Sequence, residues 1–205
     1  MTRQPRKRPR QARSRATVET LLEATTRVLV DHGFEKTTTN RVAEVAGVSV
    51  GSLYQYFPNK EALIGALVEV HFTRMRALFA STLAAVADGP LPLAARALIE
   101  AVMAGHREHP DLHRVVLEQL PRLGIQAERD GFDAFAVPLI ASYIERRRAD
   151  LRPADAHLAA WVLMRTLQPL VHAAVLRGPE FFADPAFIDE ATALVVGYLA
   201  PVGEI

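Results

Sequence analysis

Residues 38–60 read TTNRVAEVAGVSVGSLYQYFPNK, a segment that lays out two short helices and the turn between them. Thr38 and Thr39 carry hydroxyls able to accept from the free N–H groups of a helix start, and Val42, Val45 and Ala46 follow at the spacing of one buried face. Gly47 ends that helix, because a residue without Cβ enters the left-handed conformation at no steric cost, and Val48 is expected to pack inward as the chain turns. Ser49 caps a second helix, about Val50 to Phe57, in which Leu53 and Phe57 at i,i+4 face the core while Gly51, Ser52 and Gln55 face outward. Pro58 stops it, since the residue before a proline disfavours helical angles, and Asn59 caps a longer helix from Lys60. The segment reads as a helix-turn-helix whose second helix presents small side chains that let it sink into a DNA major groove.

Two tyrosines on an exposed helix face suit the same partner. A phenol donates to a phosphate while its ring lies on the sugar, and the N–H groups opening the helix at Lys60 also suit a phosphate. The candidate DNA-binding residues are therefore Thr38, Thr39, Arg41, Tyr54, Tyr56 and Lys60 as phosphate grips, with Ser49, Val50, Gly51, Ser52 and Gln55 as readers of base edges.

Residues 17–63, TVETLLEATTRVLVDHGFEKTTTNRVAEVAGVSVGSLYQYFPNKEAL, resemble the N-terminal domain of the TetR family of transcriptional regulators. The resemblance rests on Gly33-Phe34, the threonine cluster, Ala43, Ala46-Gly47-Val48-Ser49, Gly51, Leu53-Tyr54, Tyr56-Phe57 and Lys60 to Leu63. Leu29, Thr39 and Arg41 depart from the family's common residues without removing the motif. The resemblance implies an all-α protein. It would comprise a disordered basic tail over 1–13, a three-helix DNA-binding domain over 14–60, and a larger helical ligand-binding and dimerisation domain over 61–205.

Composition agrees with that division. The 205 residues are half hydrophobic, enough for one substantial core and a small appended domain. Without cysteine there is neither a disulfide framework nor a thiolate metal site, which fits a reducing cytoplasm. No apolar run is expected to approach the roughly 18 to 20 residues that span a bilayer. Residues 1–60 carry 11 Lys and Arg against 5 Asp and Glu, while 61–205 carry 13 against 18. Arg3, Arg6, Lys7, Arg8, Arg10, Arg13 and Arg15, with two prolines and no apolar face, are expected to be disordered in the free protein and to follow the DNA backbone or enter a minor groove.

The remaining pattern is helical, with no sustained strand alternation. About nine helices are expected. Helix one covers about Ser14 to Asp31, its buried stripe Val18, Leu21, Leu22, Thr25, Val28 and Leu29, closed by Gly33. Beyond the motif come helices at about Lys60 to Ala87, Leu91 to Arg107, Pro110 to Leu120, Gln126 to Asp150, Pro153 to Leu176 and Pro185 to Leu199. Proline stands at or near the start of four of them.

The last two helices offer apolar stripes for a two-fold partner: Leu158, Val162 and Arg165 with Trp161, then Phe187, Ala191, Leu194, Val195 and Tyr198. The resemblance implies the same arrangement, a four-helix bundle between two subunits. It also implies an effector cavity among the middle helices. Its candidate lining is Phe72, Met75, Phe79, Met103, Phe132, Trp161 and Met164, with His106, Gln168 and His172 as polar anchors. Pro169 within a helix removes one backbone hydrogen bond and frees a carbonyl near Arg165. His106, His109 and His113 make no recognisable metal site, since Pro110 breaks the helix between them and no carboxylate or thiolate pattern completes one. Arg146, Arg147 and Arg148 are expected to complement a helix dipole in solvent. No P-loop, nucleophile elbow, zincin or dinucleotide fingerprint is present. The sequence thus reads as a cytoplasmic, homodimeric DNA-binding regulator, a repressor of a pseudo-palindromic operator released by a small, mainly apolar effector. Neither a cofactor nor a catalytic activity is expected. A non-switching architectural DNA-binding dimer is the alternative.

Overall fold

The computed structural model describes residues 12–107, 126–182 and 184–201. Among them are nine helices and no strand: α1 (Ala12–Lys36), α2 (Thr39–Ala46), α3 (Val50–Tyr56), α4 (Lys60–Ala85), α5 (Leu91–Arg107), α6 (Gln126–Arg146), α7 (Ala156–Arg177), α8 (Pro179–Phe182) and α9 (Pro185–Leu199). The basic tail before Ala12, the helix expected over 110–120, and His109 and His113 lie outside the described residues.

Packing divides the described chain into two compact units, 12–72 with the start of α6, and 73–107 with 129–201. In the first, α1 buries Leu21, Leu22, Thr25, Val28 and Leu29, while Val18 is only half-buried. Gly33 lies inside the span of α1 at φ 74, a kink that only glycine accepts without strain. The chain thus bends where the sequence placed the helix end, then makes one more turn to Lys36. Thr37, wholly buried, fixes that turn by donating its hydroxyl to the Gly33 carbonyl at 2.8 Å. Buried Leu53 and Phe57 close the small core from α3, and Ala62, Leu63, Ile64 and Val68 close it from the first half of α4. One expectation fails. Val45 is 43% exposed, because α2 buries Val42 and Ala43 instead and turns Val45 outward.

In the second unit, α9 packs along α5, and the Arg96 guanidinium on α5 joins Glu100 to Asp189 of α9. A Cβ on Gly105 would stand 2.7 Å from the Met75 Sδ, so this glycine permits the close approach of α4 and α5. Phe79 of α4 meets Phe132 of α6 edge to face, centroids 6.0 Å apart. The Arg146–148 run is more engaged than a solvated helix end. Arg147 donates to the Ala87 carbonyl at 3.0 Å and stacks over Tyr143, while Arg146 bonds Ser142 and Arg148 bonds both Glu145 and the Ala154 carbonyl. These arginines staple the α6–α7 connection after α6 ends at Arg146, four residues short of the sequence expectation.

α7 is long and apolar enough to cross a membrane by length and composition, which counting uninterrupted apolar runs missed. An eighteen-residue average tolerates the occasional charge, whereas a run does not. Its residues Ala159, Ala160, Leu163, Met164, Ala174 and Val175 are buried in the protein, as in the core helix of a folded domain.

Candidate nucleic-acid interface and regulatory core

The helix-turn-helix is built from local hydrogen bonds. Thr38 caps α2 with backbone angles φ −130 and ψ 152, its Oγ1 accepting from the Arg41 N–H. Thr39 is therefore the first helical residue, not the cap. Gly47 takes φ 66, and the N–H groups of Gly47 and Val48 close on the carbonyls of Glu44 and Ala43 at 3.1 and 3.0 Å. Ser49 accepts from Ser52 N–H at 3.1 Å, and Asn59 Oδ1 from Ala62 N–H at 2.8 Å. The three helix starts read within residues 38–60 carry their side-chain caps.

Longer-range latches orient the side chains that local caps cannot reach. Tyr54 OH and Thr39 Oγ1 are 3.0 Å apart, and Tyr56 OH and Ser14 Oγ are 3.2 Å apart, so each phenol is held from another helix. Arg41 donates to the Lys36 carbonyl at 2.7 Å. Lys60 donates to the Phe34 carbonyl at 3.1 Å with its ammonium 4.3 Å from the Phe34 ring centroid. Both cations thereby close the last carbonyls of α1, where positive charge is favoured. Sequence reading assigned them to phosphate alone and missed this second role, which depends on contacts between helices.

The outer face of α3 is open. Ser49, Val50, Gly51, Tyr54 and Gln55 are exposed, and Ser52 is half-buried. Gly51 is informative, because a Cβ there would meet nothing nearer than the Ser49 Oγ at 4.0 Å and its φ is ordinary. Nothing within the described fold requires glycine at this position. A glycine that costs helix stability and fills no internal need fits close approach by an outside surface.

Of the residues read as lining an effector cavity, Met75, Phe79, Met103, His106, Phe132 and Met164 are buried in the second unit, and Gln168 and His172 are half-buried on α7. Phe72 is buried but falls in the first unit. Trp161 departs from the expectation. It is 47% exposed, with the Arg165 guanidinium 5.9 Å from its ring centroid, because its face of α7 points away from the core that Leu163 and Met164 enter. Burial holds the His106 imidazole below its ordinary pKa. Its Nδ1 lies 2.7 Å from the Val102 carbonyl, which accepts only, so Nδ1 carries the proton of the neutral ring.

The residues read as a partner face divide in two. Leu158 and Leu194 are exposed and Val162, Phe187 and Tyr198 half-buried, whereas Ala191 and Val195 are buried within the protomer because α9 turns them toward its own core. Tyr198 is overlaid by Arg152, 4.9 Å from its ring centroid. Arg165 forms an ion pair inside the protomer, its Nη2 2.8 Å from Asp133 Oδ2. Sequence reading did not find Asp133, since a lone acid on a helix carries no signal until a cation from another helix meets it. An open groove of about 580 Å³ lies along α5, lined by Thr82, Arg96, Ala97, Glu100, Ala101, Ala104, Arg107, Pro185 and Ile188. It shares no residue with the expected effector lining.

Comparison with known proteins agrees with this architecture. Residues 21–67 match the model for bacterial regulatory proteins of the tetR family, and residues 90–199 match the tetracyclin repressor-like C-terminal domain. The chain belongs to the TetR family. It is accordingly a DNA-binding transcriptional regulator, and regulators of this family bind DNA operators as dimers. Among curated relatives, the nucleoid occlusion factor SlmA of Haemophilus ducreyi is 32% identical over 88 residues, a match that spans 42% of each chain. Among solved structures, SmeT, the repressor of the Stenotrophomonas maltophilia multidrug efflux pump SmeDEF, superposes with a TM-score of 0.71 at 23% identity, covering 91% of both chains. A SmeT–triclosan complex superposes at 0.68 and 20% identity, covering 92% of this chain and 93% of that one. At these identities the structural likeness establishes the fold of this TetR-family chain.

Proposed function

We propose that this regulator is a cytoplasmic homodimeric repressor that binds a pseudo-palindromic operator through α3 and is released when a small, mainly apolar effector enters the second unit. The observation that carries the DNA half is the exposed face of α3, where Gly51 leaves space that the fold itself does not use. Thr38, Thr39, Arg41, Tyr54, Tyr56 and Lys60 hold the flanking phosphates, and Ser49, Val50, Gly51, Ser52 and Gln55 lie against base edges. Two such faces set about 34 to 36 Å apart by a two-fold axis engage successive major grooves. The exposed Leu158, Trp161 and Leu194 supply apolar surface for the partner subunit. The buried Met and aromatic cluster of the second unit supports an apolar effector, which acts as a population shift: it binds better to a dimer whose DNA-binding units are spaced differently.

Selection from a random duplex pool followed by quantitative binding tests this reading. Tyr54→Ala is expected to weaken binding to the recovered duplex at least tenfold, and an unchanged affinity would refute the assigned face.

A second reading, left open by the sequence, is a non-switching architectural DNA-binding dimer. The two readings separate on small-molecule response: a screen of apolar compounds that releases the duplex supports the repressor, and a protein that neither binds nor responds to any of them supports the architectural role.

A further inference from the structure

Asp133 of α6, 7% exposed, is the only buried carboxylate among the described residues. Its counter-ion arrives from the surface. Arg165 of α7 sets Nη2 2.8 Å from Asp133 Oδ2 while 41% of its own side chain stays exposed. The same guanidinium lies 5.9 Å from the ring centroid of Trp161, one turn earlier on α7. A buried carboxylate and a half-exposed indole beside one guanidinium make a cation site, which the chain fills with its own arginine. Phe132, next to Asp133, meets Phe79 edge to face within the aromatic core, so charged and apolar surface adjoin here.

Exchanging that guanidinium for another cation leaves the buried charge balanced. An incoming organic cation keeps the carboxylate paired, and Arg165, already partly in water, regains its hydration at little cost. An anion would stand beside a buried like charge. A neutral molecule in the same place would leave Asp133 without this counter-ion.

We propose that Asp133 and Trp161 form a binding site for an organic cation with an apolar body, an amidinium, guanidinium or amine, which takes the place of the Arg165 guanidinium. This deepens the effector reading and rests on it only for the release of DNA. Leu158, Trp161 and Arg165 share one face of α7 by their spacing, and Leu158 and Trp161 are exposed there. Displacing Arg165 therefore changes the charge on the face assigned to the partner subunit.

Trp161 is the chain's one tryptophan, so its fluorescence reports on this site. The test titrates the full-length protein with benzamidinium, benzamide and benzoate, which share a shape and are cationic, neutral and anionic. Benzamidinium is expected to change the Trp161 signal and to bind at least tenfold more tightly than the other two, a preference that Asp133→Asn abolishes. Arg165→Gln removes the internal competitor and is expected to bind benzamidinium about tenfold more tightly than the parent does. Where that variant is too unstable to titrate, benzamidinium and not benzoate is expected to raise its unfolding midpoint, because a ligand held only by the native state stabilises it. Equal binding of the three compounds by the parent would overturn the site and leave the apolar effector reading untouched. So would an Arg165→Gln variant that neither binds benzamidinium more tightly nor is stabilised by it. Charge-selective binding that leaves affinity for a duplex recovered from a random pool unchanged would establish the site and overturn the effector role of the second unit.

Discussion

The unit of α1 to α3 and the unit of α5 to α9 differ in where their most telling polar contacts lie. In the first, Thr38, Ser49 and Asn59 each accept from a backbone N–H three residues on, so the order of residues nearly dictates the contact. In the second, the polar contacts between helices join residues far apart in sequence: Arg96 to Asp189, Arg147 to the Ala87 carbonyl, Arg152 to the Tyr198 carbonyl and Arg165 to Asp133. The first unit is capped locally, with a few latches between its helices, and leaves the outer side of α3 open. The second is tied together over long range, by contacts that are mostly at the surface, with Asp133 buried.

The largest expected effect breaks the first unit and spares the second. Phe57, 1% exposed, closes the small core, and Phe57→Ala is expected to cost about 4 kcal/mol. Urea unfolding followed by hydrogen exchange would then show loss of protection in α1 to α3 with α5 and α9 still protected. Loss of protection in both would show that the units do not unfold separately.

A slightly smaller effect breaks the second. Arg165→Met leaves the Asp133 carboxylate buried without this cation and is expected to cost about 3 kcal/mol, most of it recovered when Asp133→Leu is added. Chemical denaturation of the single and double variants checks this, and a double variant no more stable than the single one would count against the ion pair.

Gly51→Ala sharpens the contrast between stability and function. With no contact for a Cβ to violate, it is expected to stabilise the protein by roughly 0.5 to 1 kcal/mol while lowering duplex affinity about tenfold. A tenfold change is about 1.4 kcal/mol of binding free energy. Unaltered binding would mean that the open face of α3 is not the contact surface.

Thr38→Ala removes a cap and is expected to cost about 1 kcal/mol, read as a shift of the unfolding midpoint confined to the first unit. The most gradual effect comes from His106. Its folded-state pKa lies below that of the unfolded chain, so on acidification the unfolded state takes up the proton first. Stability is therefore full above about pH 6.5 and falls as pH drops from there toward the lowered folded value. His106→Gln should abolish that portion of the pH dependence, and an unchanged profile would assign it to another group.

These contrasts explain what was legible in the residues. The helix starts at Thr38, Ser49, Asn59 and Pro185 could be read because caps and prolines act over one helical turn. Val45 was misjudged for a related reason. Spacing gives the angle between side chains on a helix but not which direction the neighbouring helices occupy. Trp161, Ala191 and Val195 show the same limit. Their stripes are apolar in sequence, and only the placement of α7 and α9 decides that Trp161 faces out while Ala191 and Val195 face in.

The all-helical class, the helix-turn-helix with its caps and left-handed Gly47, the charge asymmetry and the positions of the principal breaks all follow from the order of residues alone. Each depends on backbone angles or on groups within about one turn of one another. Tertiary packing alone settled that Lys60 and Arg41 close the end of α1, that Ser14 meets Tyr56, that Asp133 is the partner of Arg165, and which apolar stripes remain uncovered. Those pairings join residues between 5 and 42 positions apart, and such separations close only when whole helices pack against one another.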